Sequence, residues 1–132
     1  NSEIKDYIRS ENLDSQVYVD NFIPQKYVLS HANLFLTSGG FNSVLESIYY
    51  EVPMIVRPVS CEQRMNGIVI EKNNLGITLY KKNKRSLRDE VYFLLNNKEI
   101  ENSLKMNSKD LKNHFDNNYE TINKRIRRLI NG

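Results

Sequence analysis

The chain has no tryptophan, one cysteine, three prolines and five glycines in 132 residues. With Cys61 alone, no internal disulfide can form and no zinc site has the needed spacing, which suits a reducing, cytoplasmic setting. No apolar run reaches the roughly 20 residues that cross a bilayer, and no secretory signal pattern stands at the start. The opening Asn1-Ser2-Glu3, in place of Met, reads as a piece of a longer chain. Internal repeats and low-complexity linkers are absent too. Neither sign of charge dominates: 19 Lys and Arg face 16 Asp and Glu, for a net +3 and a pI near 9.0. A nucleic-acid surface shows a denser basic stripe with interleaved aromatics, so no nucleic-acid partner is expected. The clearest basic cluster, Lys124-Arg125 with Arg127-Arg128, reads as a solvated helix face, with peripheral contact to a membrane surface or an acidic partner as the alternative.

What is present suits one small globular domain: 39% hydrophobic and 27% charged residues, too short for two domains. A helix is expected over 2–11, where Ile4, Tyr7 and Ile8 share a face. Val17-Tyr18-Val19 is a β-prone run ended by Asp20-Asn21. Pro24 opens a short helix to about His31. Leu34-Phe35-Leu36-Thr37 is an uninterrupted apolar run, the pattern of a parallel strand covered on both faces. A helix over 42–50 follows, then a buried strand over 53–56, a loop from Pro58 to Cys61, a helix over 62–73 and a fourth strand over 76–80. The remainder, 86–130, reads as helical, with a break near Asp116-Asn117-Asn118. Alternation of this kind predicts an α/β fold, a Rossmann-like parallel sheet flanked by helices.

The residues that carry chemistry begin at Thr37-Ser38-Gly39-Gly40-Phe41-Asn42-Ser43, between a predicted strand and a predicted helix. Ligands bind at such corners in open α/β sheets. Glycines let the backbone turn sharply and approach a ligand. The free N–H groups and dipole of the helix start favour a phosphate, and Asn42 and Ser43 add donors. A glycine turn alone serves equally to close a strand–helix corner. Glu46 shares a helix face with Asn42 and Ser43, about 5 Å deeper along the axis. A carboxylate there can accept from a vicinal diol such as the 2′- and 3′-hydroxyls of ribose, or it is simply an exposed helical Glu. Glu62-Gln63 can bond sugar hydroxyls, or Glu62 can answer a helix dipole. Phe22 can stack a base ring or serve as a core residue.

Taken together, Phe22-x-Pro24-Gln25, Leu29-x-His31, Phe35-x-Thr37-Ser38-x-Gly40-x-Asn42-Ser43-x-x-Glu46, Val52-Pro53, Pro58, Glu62-Gln63 and Asn66 resemble the donor-binding signature of UDP-dependent glycosyltransferases, the macrolide and UDP-glucuronosyltransferase-like family. The match is tightest over 22–66. The resemblance implies a fold of two Rossmann-like domains facing across a cleft, with residues 1–132 part of the C-terminal, nucleotide-sugar-binding one and the N-terminal acceptor domain absent. It implies that Phe22 stacks on the base in place of the usual Trp and that Gln25 lies near base and ribose. Ser38, Gly39, Gly40, Asn42 and Ser43 then hold the diphosphate, Glu46 the ribose diol, and Glu62 and Gln63 the sugar. It further implies hexosyl transfer with inversion, a UDP-sugar as substrate and no cofactor. The catalytic base would come from the acceptor domain or a partner subunit, so no catalytic residue is expected in this chain and the piece alone should be inactive. No Asp-x-Asp stands in the sequence to hold a metal. The family usually carries His where this chain has Ser38, which loses a charge that would face the diphosphate. His31 is expected to be structural and His114 solvated.

Two other readings stay open. Ser38-Gly39-Gly40, Glu46 and Arg57 also echo UDP-N-acetylglucosamine 2-epimerase-like enzymes, although Pro24-Gln25, Asn42-Ser43 and Glu62-Gln63-x-x-Asn66 suit the transferase better. The chain can also be a non-catalytic donor-binding subunit of a split glycosyltransferase. The stripe Ile122, Ile126, Leu129 and Ile130 on the last helix would then be partly exposed and promote self-association.

Overall fold

A computed structural model describes residues 2–13, 15–80 and 85–131, with the side chains of 119 and 122–131 excepted. The elements run α1 (Ser2–Ser10), α2 (Gln25–Leu29), β1 (Phe35–Thr37), α3 (Phe41–Tyr49), β2 (Met54–Val56), α4 (Cys61–Lys72), β3 (Gly76–Thr78), α5 (Leu87–Leu95) and α6 (Lys98–Asn131). The three strands form one parallel sheet in the order β1-β2-β3. Thr37, Val56 and Thr78 stand in register, so all three strands end at one carboxyl edge.

The central strand explains the hydrophobic runs. Met54, Ile55 and Val56 are each 0% exposed, because helices cover both faces of a parallel sheet. Ile70 and Leu75 pack on them from the α4 end, and Leu94, Ile100 and Leu104 from α5 and α6. Gly67 allows α4 to lie this close: a Cβ there would stand 2.6 Å from the Thr78 hydroxyl. Glu71 Oε1 accepts the Thr78 N–H at 2.7 Å and fastens the same helix to the strand.

Three expectations are corrected. Val17-Tyr18-Val19 is not a strand among the described residues. The Val17 N–H turns back to the Leu13 carbonyl at 2.9 Å, and Tyr18 is exposed; β propensity alone, without pairing to a neighbouring strand, makes no strand. The strand expected over 76–80 closes at Thr78, although the Leu79 N–H still reaches the Val56 carbonyl at 2.7 Å. The break expected near 116–118 is absent, and α6 runs on to Asn131. Side chains there bond within the helix: Thr121 Oγ1 donates to the Asn117 carbonyl, and Asn118 meets His114 one turn back. The actual break lies at Asn96-Asn97, where Asn97 Oδ1 takes the Glu99 and Ile100 N–H groups as a cap. In α1, Ile8 is buried but Ile4 and Tyr7 are exposed. The stripe Ile122, Ile126, Leu129 and Ile130 lies outside the described side chains. Among the described residues no helix is long and apolar enough to cross a membrane.

Candidate functional site

The corner between β1 and α3 is built around one backbone conformation. Gly39 has φ +86°, a region open to glycine and strained for other residues. The space is closed as well: a Cβ on Gly39 would stand 2.6 Å from Val56 Cγ1, in the buried central strand. Two side chains hold the turn. Thr37 Oγ1 accepts the Gly39 N–H at 3.2 Å, and Asn66 of α4 donates its amide to the Gly39 carbonyl at 2.8 Å. Gly40 differs, because a Cβ there would meet nothing within 4 Å. The turn is thus packed below and open above.

Gly40 is also the N-cap of α3 and offers no side chain to cap it. The first helical bond runs from the Val44 N–H to the Gly40 carbonyl at 3.0 Å, leaving the N–H groups of Phe41, Asn42 and Ser43 without partners inside the helix. Ser38 and Asn42 are exposed beside them, and Ser43 is half-buried. This is the geometry that takes an anion.

One turn deeper the structure joins residues far apart in sequence. Gln25, at the start of α2, donates its amide to Glu46 Oε2 at 2.8 Å and to Ser43 Oγ at 3.3 Å. The carboxylate is therefore fixed by one oxygen. Glu46 and Asn42 also line a cavity of about 580 Å³, with Lys26, Tyr49 and, from α6, Leu111 and Phe115 among its walls. Its size falls within the range of about 300–1,000 Å³ usual for small-molecule sites.

The other predicted residues lie around this centre. Phe22 is 79% exposed, so its ring is not a core residue. The loop before it is tied by the Tyr18 hydroxyl, which donates to Asp20 at 2.8 Å and holds that carboxyl below its ordinary pKa. Glu62 is exposed in the first turn of α4. Gln63 is already engaged: its Oε1 accepts the Val59 and Ser60 N–H groups at 2.9 and 3.2 Å, and its own N–H goes to Ser60 Oγ. That is a capping box, and only the amide NH2 of Gln63 remains for a ligand. His31 is bonded to the Tyr27 carbonyl at 3.0 Å and lies against the Tyr27 ring. Among the described residues no three His, Cys, Asp or Glu side chains gather to hold a metal ion.

The sequence assigns no binding role to Lys26, Tyr49 or Phe115; Tyr49 reads as part of the inward face of its helix, yet it is exposed. Tyr49 follows Asn42 and Glu46 at helical spacing, so that signal was present; Phe115 joins only through the docking of α6. Asn66 belongs to the motif, yet nothing local in the sequence sets its hold on the Gly39 carbonyl, 27 positions away.

A solved glycosyltransferase of kitacinnamycin superposes with a TM-score of 0.69 at 27% identity, covering 74% of this chain and 26% of its own. A second, SnogD from Streptomyces nogalater, gives 0.62 at 18% identity and supports the fold only. Both share the parallel-sheet fold of this chain.

Residues 5–120 match the family described as UDP-glucoronosyl and UDP-glucosyl transferase, and the chain belongs to that family. A Caenorhabditis elegans protein named as a UDP-glucuronosyltransferase, ugt-50, is 37% identical over 110 residues, 80% of this chain and 21% of its own length. NDP-glycosyltransferase YjiC of Bacillus subtilis is 30% identical over 104 residues, 77% of this chain and 26% of its own. The chain thus spans about a fifth to a quarter of the length of these two relatives.

Proposed function

We propose that the whole protein transfers a hexosyl group from a nucleotide-diphospho-sugar, a UDP-sugar, to an acceptor hydroxyl, and that this chain supplies the donor site. The observation that carries the reading is the bond from Gln25 to both Glu46 and Ser43. It fixes a carboxylate one turn below an uncapped helix start, an arrangement that suits a diol beside an anion.

The diphosphate sits on Ser38, Gly39 and Gly40, the N–H groups of Phe41 to Ser43 and the side chains of Asn42 and Ser43. Glu46 accepts from the ribose hydroxyls, with Gln25 positioning it, and Phe22 stacks on the base. Glu62 and the amide NH2 of Gln63 bind hydroxyls of the sugar. In the reaction the acceptor oxygen bonds to the anomeric carbon as the bond to the β-phosphate oxygen breaks, with inversion. The helix start stabilises the charge that gathers on the departing diphosphate. The acceptor proton passes to a base on an acceptor domain or partner subunit, so this chain alone does not turn over. We place the protein in the cytoplasm, where Cys61, the one cysteine of these 132 residues, stays reduced.

The test is an assay of the full-length protein on UDP-sugars with and without an acceptor alcohol. Acceptor-dependent release of UDP, unchanged by a chelator, is expected. Epimerised sugar formed without acceptor would make the protein an epimerase. Donor binding without product under either condition would make it a binding subunit, the outcome that Ser38 in the usual His position favours.

A further inference from the structure

A second cavity opens at the carboxyl edge of the sheet, on the β3 side of α4. Its volume is about 520 Å³, and Arg57, Pro58, Val59, Arg64, Leu79 and Tyr80 line it. Arg57 is the first residue after β2, its N–H held by the Thr37 carbonyl at 2.8 Å. Arg64 stands in α4, its N–H bonded to the Ser60 carbonyl at 3.1 Å. Both backbones are therefore fixed, while both side chains are exposed. Among the described residues neither guanidinium has an ion pair or side-chain hydrogen bond.

Two unpaired cationic side chains on the wall of one cavity give it a positive potential that an anion can satisfy. A guanidinium offers a planar fork of donors that fits carboxylate and phosphate oxygens. The other walls are unsuited to a bare, hydrated ion: proline, valine, leucine and the tyrosine ring favour an organic body. This cavity is not the glycine turn. The Gln63 carbonyl lies 3.5 Å from where a Cβ of Gly39 would stand, whereas the next residue, Arg64, lines the arginine cavity. The two places flank one turn of α4.

We propose that this cavity is a second ligand site, for an organic anion. Its carboxylate or phosphate is held by Arg57 and Arg64, and its aromatic or branched aliphatic body lies against Leu79 and Tyr80. The site is independent of nucleotide binding at the glycine turn.

Phenyl phosphate titrated into the isotope-labelled chain, with and without UDP, tests this by amide and arginine Nε–H shifts. Shifts are expected at 57–64 and 79–80, with the same affinity when UDP is present. Inorganic phosphate and benzyl alcohol should each bind at least about tenfold more weakly, since each lacks one half of the recognition. Arg57→Gln with Arg64→Gln should weaken phenyl phosphate by about tenfold or more while leaving the remaining amide spectrum and the UDP affinity unchanged. Equal binding of inorganic phosphate, an adventitious ion only, would overturn the proposal. So would equal binding of benzyl alcohol, or an unchanged affinity in the double variant. Binding to phosphatidylglycerol-containing phosphatidylcholine vesicles without binding of phenyl phosphate would also overturn it, in favour of a lipid headgroup. If UDP fails to bind while phenyl phosphate binds as described, the donor reading falls and this one stands.

Discussion

Two strand-to-helix corners lie side by side at the carboxyl edge of the sheet, and their helices begin in opposite ways. At the β2–α4 corner, Ser60 accepts the Gln63 N–H, and Gln63 Oε1 answers the N–H groups of Ser60 and Val59. At the β1–α3 corner, Gly40 stands in the same place with no side chain, and the N-terminal N–H groups of α3 face outward. The first arrangement satisfies its helix start with its own side chains. The second leaves the start for something else to satisfy. Its glycine turn is nonetheless held firmly from below by Thr37, Asn66 and the packing of Gly39 on Val56. Stability at one corner is local; at the other, rigidity is present and saturation is not, which is what separates a binding corner from a closed one.

Substitutions can break or sharpen this contrast. The largest effect is expected at Gly39→Ala, which meets both a positive φ and Val56. It should cost about 3 kcal/mol of stability, read in a denaturant titration, and abolish UDP binding. Next is Glu46→Ala, expected to weaken UDP by about thirtyfold, roughly 2 kcal/mol for the lost charge-assisted bonds, with little change in stability. Ser60→Ala is the counterpart at the closed corner: it should lose about 1 kcal/mol of stability yet leave calorimetric UDP affinity nearly unchanged. Gln25→Ala should weaken UDP by about fivefold, since Glu46 keeps its charge but loses its anchor. The smallest is Ser38→His, expected to tighten UDP about threefold below pH 6.5, where an imidazolium faces the diphosphate. The gain should fade as the ring deprotonates at higher pH. A gain that grows with pH would contradict the assignment of that position.

Much of the fold was legible because buried parallel strands write themselves as apolar runs. Met54–Val56 is such a strand; Phe35–Thr37 carries the same run and is a strand, but it is not covered on both faces as expected, since Leu36 is exposed at the edge of the sheet. Val17-Tyr18-Val19 carried the same propensity but was misread, since pairing is a tertiary event and the local turn to Leu13 takes its N–H. The asparagines of α6 misled in the other direction: mid-helix Asn signals a break only where its side chain competes with the backbone, and Asn118 instead meets His114 on the helix surface. At the site, spacing put Asn42, Ser43 and Glu46 on one face. It gave no reason for Gln25 to meet Glu46 across 21 positions; only the resemblance named both residues. The commitment of Gln63 to its own helix start is legible, by contrast, since Ser60 three residues earlier completes the capping-box pattern. Phe115 enters its cavity through the docking of α6 on α3, and no local pattern encodes that contact.

The central claim is that the open corner and Glu46 form one nucleotide site. Titration of the isotope-labelled chain with UDP, UMP and uridine, followed by amide shifts and repeated on Glu46→Ala, tests it most directly. The account predicts shifts centred on residues 38–46, strongest for UDP, weaker for UMP and uridine, and diminished by the substitution. Absence of shifts at 38–46 at millimolar UDP, or shifts there that Glu46→Ala leaves unchanged, would contradict it.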